Sequence, residues 1–135
     1  MSAAEEVRRV NPPELARPSG FSHAVVSGRT VYLAGQTALD ATGAIVATGD
    51  VVAQFEQALA NLLTALAAAG GAPADLVSLT VYIVDMDDYR ARARDIGRVW
   101  QKLVGRDYPA MAGIGVARLW DAEALVEVQG TAALP

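Results

Sequence analysis

The sequence contains no cysteine, which excludes a disulfide framework, a thiolate nucleophile and any cysteine-ligated zinc or iron–sulfur site. His23 is its single histidine, so no pair of histidines can hold a metal within one chain. Long apolar runs are also missing. The longest, Ala58 to Ala69, is interrupted by Asn61 and Thr64 and stops at Gly70-Gly71, short of the roughly 20 residues a membrane span needs. The start MSAAEEVRRVNPPE mixes both charge signs without an apolar stretch, so no secretory leader is read there and a cytoplasmic location is expected. Charged residues make up 19% of the chain with a net charge of -4. Clustered Lys and Arg, which a phosphate backbone requires, are lacking, and nucleic-acid binding is not expected.

What is present is apolar: 53% of 135 residues, enough for one core and one domain over residues 1–135. Residues 6–10 predict a short strand ended by Asn11-Pro12-Pro13, and Pro18-Ser19-Gly20 makes a second break. SHAVV and RTVYLAGQ, rich in β-branched and aromatic residues and separated by Ser27-Gly28, predict a hairpin. Asp50 is placed to cap a helix closed by Gly70. Val52, Phe55, Leu59, Leu62, Leu63 and Leu66 recur at helical spacing along one face, and Gln54, Gln57 and Asn61 are expected to turn elsewhere.

Leu76 to Val84 predicts a central strand, with Leu79, Val81 and Ile83 opposite Thr80, Tyr82 and Val84. A second helix follows, with Tyr89, Ala93, Ile96, Trp100 and Leu103 in phase up to Gly105 and its arginines in solvent. Asp85, Asp87 and Asp88 precede it, where carboxylates cap N–H groups more readily than they bind a cation. Two strands, 110–119 and 124–133, complete the order βββαβαββ. The architecture expected is α+β: a mixed sheet with two helices on one face. Tyr32, Ala34, Gln36, Tyr82 and Val84 would then share the second face, too apolar to stand in water, and another copy of the chain is the expected cover.

Four motifs in order, GFSHAVVSGRTVYLAGQ (20–36), LTVYIVDMDDY (79–89), YPAMAGIGVARL (108–119) and VEVQGTA (126–132), resemble the Rid (RidA/YjgF-like) family over nearly the whole chain. The resemblance implies a chorismate-mutase-like fold, a homotrimer whose sheets form a central barrel, and three clefts between subunits. In the founding group each cleft hydrolyses a reactive enamine or imine, such as 2-aminoacrylate, to a keto acid and ammonia without metal or cofactor. An arginine fork there holds the substrate carboxylate and an acidic residue orients water.

Carried onto this chain, the water-positioning carboxylate falls on Glu127 and the glycine whose N–H faces the ligand on Gly35. The arginine position falls on Met111, which offers neither charge nor fork. Arg118 does not replace it, because the family pattern has an arginine there as well. A tyrosine position falls on Phe21, and no asparagine stands near Ala93. The substrate-binding set implied is Phe21, Gly35 and Met111, with Glu127 catalytic.

Each residue also has a plainer reading. Glu127 by pattern alone is a solvated strand carboxylate or an ion-pair partner. His23 is better taken as a hydrogen-bonded structural or interface group than as a general base. Phe21, Met111 and Trp120 are pocket walls or packed hydrophobes. The glycines of GAIVATGD lack phosphate-loop spacing. Two functions remain open: a deaminase-like hydrolase of a less anionic imine, enamine or conjugated metabolite, and a non-catalytic metabolite-binding or regulatory trimer. Ribonuclease activity ranks last, given the acidic charge.

Overall fold

The computed structural model describes residues 6–135; the start of the chain, on which the absence of a leader was read, lies outside them through residue 5. The elements are β1 (Val7–Val10), β2 (Ala24–Ser27), β3 (Thr30–Gln36), α1 (Val51–Ala68), β4 (Leu76–Ile83), α2 (Met86–Ala91), α3 (Ala93–Leu103), β5 (Ala110–Gly115) and β6 (Val126–Ala133). One sheet has the order β1-β2-β3-β6-β4-β5. All neighbours are antiparallel except β4 and β5, and the last two strands of the sequence do not pair with each other: β6 inserts between β3 and β4 and leaves β5 on the edge.

Helix α1 forms where its signals predict. Asp50 Oδ1 accepts the Val52 and Ala53 N–H groups, both at 3.1 Å, a cap that stabilises by about 1 kcal/mol. At the other end Gly70 has φ +97°. The Gly71 N–H reaches Leu66 O and the Gly70 N–H reaches Ala67 O, the paired bonds of a Schellman ending. By length and composition α1 is also apolar enough to cross a membrane, yet half of it is buried inside the chain. Phe55, Ala58, Leu59, Leu62 and Leu66 pack on Val26, Val31, Leu33, Leu79, Val81, Val126 and Val128 to form the core.

Three expectations are corrected. First, Gln54 and Asn61 do not turn away from the core: both are buried. Gln54 Nε2 donates to Glu123 O at 3.0 Å, its Oε1 accepts the Leu125 N–H at 2.8 Å, and Asn61 Nδ2 donates to Thr37 O and Leu39 O. These amides occupy the helical stripe because they tie the loops entering β6 and leaving β3 to the helix. Apolar periodicity cannot register buried polar groups that are satisfied in this way. Second, the second helix is two. The Arg92 N–H is shared between Asp88 O and Tyr89 O, and its ψ opens to 17°; the turn tightens there and the axis breaks without glycine or proline. Third, Gln36 is not on the open sheet face. Leu33 pairs with Gly130 but Gln36 pairs with Val128, so three steps of β3 oppose two of β6. That bulge reverses the alternation and turns Gln36 inward, to 4% exposure.

Candidate functional site

Val126 and Val128 are fully buried against α1, so Glu127 between them projects from the opposite, helix-free face. Its ladder partner on β4 is Tyr82, whose partner on β5 is Ile114. The three side chains form one row across the open face, with neighbouring strands about 4.8 Å apart. The Tyr82 hydroxyl donates to Gln129 Oε1 at 3.0 Å, which fixes the ring beside the carboxylate.

On the other flank of Glu127 lies the β3 bulge. A Cβ built on Gly35 would stand 2.7 Å from Glu127 Oε2 and 2.8 Å from its Cδ. The carboxylate therefore occupies the space that any side chain at 35 would fill, and glycine is a steric requirement of the pair. Glu127 is half-buried, and burial pushes its carboxyl above the ordinary value of 4.5. No Lys, Arg or His side chain among the described residues forms an ion pair with it. A desolvated, unpaired carboxyl of this kind can take up a proton from water and return it.

Behind the bulge His23 is buried at 2% exposure. Its Nε2 lies 2.7 Å from Ala16 O and its Nδ1 lies 3.0 Å from Gln36 Nε2. The backbone joins as well: the His23 N–H donates to Asn11 Oδ1 at 2.8 Å, and the Ala34 N–H donates to His23 O at 2.9 Å. Phe21 stands edge-on to the imidazole, ring centroids 5.3 Å apart, and leaves half its surface free.

Met111 lies apart from this group. It pairs with Leu79, in the β5 series whose Gly113 faces Ile83 on the helix side of the sheet. It is thus on the face opposite Glu127 and three residues before Ile114, about 10 Å along the strand. Being on the edge, it is 45% exposed. Arg118 turns its guanidinium to Leu119 O and Trp120 O in its own loop. Asp85 Oδ1 caps α2 through the Asp88 N–H at 3.0 Å. Within one chain the fold brings Gly35 and Glu127 together, sets Phe21 on His23 nearby, and keeps Met111 away. Tyr82, Gln129 and Gln36 were not read from the sequence as members of the group. A signal existed for Gln36: a glycine inside a strand pattern, as at Ala34-Gly35, marks a bulge.

The family profile described as Endoribonuclease L-PSP matches residues 13–134. A RutC family protein of Pyrococcus horikoshii is 30% identical over 90% of this chain and 91% of its own. The human 2-iminobutanoate/2-iminopropanoate deaminase is 30% identical over 73% of this chain and 69% of its own. Among solved structures, RidA of an Antarctic Psychrobacter superposes with a TM-score of 0.83 at 27% identity, covering 94% of this chain and 99% of its own. The yjgF product of Escherichia coli gives 0.83 at 25%, covering 93% and 98%. Motifs, topology and these matches agree, and the chain belongs to the Endoribonuclease L-PSP family, the group of the RidA and YjgF proteins.

Proposed function

We propose that this protein hydrolyses a small reactive imine, enamine or conjugated metabolite, with Glu127 as the residue that handles water. The observation that carries the reading is the half-buried, unpaired Glu127 carboxylate seated over Gly35. A water activated by Glu127 adds to the carbon of a C=N bond, and the nitrogen gains a proton. The resulting carbinolamine then loses ammonia or an amine, and a carbonyl remains. Water and a carboxyl group suffice, with no metal or cofactor. Relatives named 2-iminobutanoate/2-iminopropanoate deaminase support the reaction class.

The substrate differs from that of those relatives at one end. Met111 stands where the resemblance places the carboxylate-binding arginine, so a less anionic or differently held substrate is inferred. The resemblance implies a homotrimer with clefts between subunits, and the placement of Met111 and Glu127 on opposite faces of one sheet suits a cleft that takes Met111 from one copy and Glu127 from the next. Phe21, half exposed beside the bulge, is an apolar wall of that cleft.

The test is turnover of neutral and anionic imines, generated in situ, by the purified protein and by Glu127→Gln. Hydrolysis above the uncatalysed rate that falls about a hundredfold in the variant is expected. Turnover intact in Glu127→Gln overturns the mechanism. The exposed apolar pair Phe21 and Met111 also suits a non-catalytic metabolite-binding trimer. That reading is favoured if a ligand stabilises the protein, depends on Phe21 and is recovered unaltered. Sedimentation as a monomer at micromolar concentration overturns the trimeric cleft.

A further inference from the structure

We propose that His23 is a positioning residue that locks the loop carrying Phe21 to the bulge carrying Gly35, so that the apolar wall and the seat of the Glu127 carboxylate are held as one unit. The inference rests on the reading of Glu127 and Gly35 as the working site. A carbonyl can only accept, so the 2.7 Å contact with Ala16 O requires the proton on Nε2, which leaves Nδ1 to accept from the Gln36 amide at 3.0 Å. One ring therefore grips two segments: residues 11–21 through Ala16, and the inward-turned end of β3 through Gln36. Two backbone bonds run the same way, from the His23 N–H to Asn11 Oδ1 and from the Ala34 N–H to His23 O.

Gln36 faces the ring because the bulge at Ala34-Gly35 turns it inward, and the same bulge places Gly35 under Glu127. Moving Gln36 thus moves the seat of the carboxylate. The ring also meets Phe21 edge-on at 5.3 Å, so a shift in the imidazole reaches the apolar wall. Both polar side chains are more than nine-tenths buried, where a lost hydrogen bond is not replaced by solvent. A buried imidazole needs partners at both ring nitrogens, and this one takes them from two different segments, Ala16 in the loop and Gln36 at the end of β3.

The experiment is amide hydrogen exchange on the full-length protein, compared among wild type, His23→Ala, His23→Asn and Gln36→Leu. His23→Ala and Gln36→Leu are each expected to speed exchange about tenfold in both residues 11–23 and residues 33–36, with α1 unchanged. Asparagine places an acceptor near the Nδ1 position, so His23→Asn should restore protection at 33–36 and leave 11–21 loosened. In imine turnover, kcat/KM of Gln36→Leu should fall at least about tenfold, and the Glu127 limb of the pH profile should move down toward the ordinary carboxylate range. The proposal is overturned if Gln36→Leu leaves exchange at 11–23 unchanged, or if His23→Ala loosens 11–23 alone. If His23→Ala does not fold, His23→Asn and Gln36→Leu decide. Exchange needs no substrate, so absence of imine hydrolysis sinks the functional reading and leaves this coupling to be judged separately.

Discussion

Replacing Gly35 by alanine separates the role of this glycine in the site from any role in folding. Its φ is not in the left-handed region, so the backbone accepts a Cβ. The obstacle is the Glu127 carboxylate, whose Oε2 at 2.7 Å is about 0.7 Å inside the 3.4 Å of ordinary contact. The obstructing atoms are the far end of a side chain with three rotatable bonds, and the open face of the sheet gives them somewhere to go. The fold should relax by rotating Glu127 outward, leaving the ladder intact. Stability should stay within about 1 kcal/mol of wild type, since alanine in a strand recovers roughly the 0.5–1 kcal/mol that glycine costs. Once out of its half-buried seat the carboxyl loses the desolvation that raises its pKa, which should fall back toward 4.5. Turnover should drop about a hundredfold, the lower range for a displaced general base. Denaturant melts, a carbon-13 NMR titration of the Glu127 carboxyl and imine kinetics measure the three. A variant that loses more than about 3 kcal/mol, or keeps both its titration and its turnover, refutes the idea that Gly35 is there to seat the carboxylate.

Glu127→Gln has a pH signature. Folding raises this carboxyl above 4.5, so between the unfolded and folded values the native chain holds a proton that the unfolded chain has released. Stability from this group is complete below that window and is lost as pH rises through it; the variant should melt higher than wild type at neutral pH and equally below 4.5, and equal melting at neutral pH counts against the desolvated seat. Gly130→Ala should be far worse for stability than Gly35→Ala, by about 1–3 kcal/mol in denaturant. The new Cβ would meet the Ser78 backbone oxygen at 2.8 Å, and a strand carbonyl cannot rotate away. Gln54→Leu should cost about 2–4 kcal/mol by stranding the Leu125 N–H and Glu123 O, whereas a loss under about 1 kcal/mol would mean that water replaces the amide.

The sequence carries most of the fold because its local signals agree with one another. Asp50 and Gly70 bracket α1, Gly28 at φ +61° turns the β2–β3 hairpin, and the alternation of β4 puts Leu79, Val81 and Ile83 inward. Two of the three failures occur where polar groups were sorted by hydrophobicity alone. Gln54, Asn61 and Gln36 are all buried, each because a specific partner across the fold satisfies it, and partners separated by up to 71 residues leave no local pattern. Strand order is likewise invisible: nothing in VEVQGTA says that β6 inserts between β3 and β4. That insertion is what sets Glu127 between Gly35 and Tyr82.

The same topology constrains how Met111 and Glu127 can serve one ligand. A strand residue one ladder position from a partner shares its face, so Met111, paired with buried Leu79, and Glu127, paired with Tyr82, are committed to opposite sides of the sheet. Twist changes the angle between neighbouring strands by about 20–25°, far too little to bring both side chains to one side. In the proposed assembly a ligand touching both would lie between two copies, one presenting its edge strand β5 and the other its open face. In the cleft proposed above, the side chain that the neighbouring copy places at position 111 would anchor the ligand, and a methionine there would change that anchor without altering the carboxylate or its seat. Restoring charge at the edge by Met111→Arg should thus change which substrates bind and, in the assembled cleft, move the titration of Glu127 down, because a cation across a small ligand favours the ionised carboxylate. Within a single chain the two groups are separated by the sheet itself.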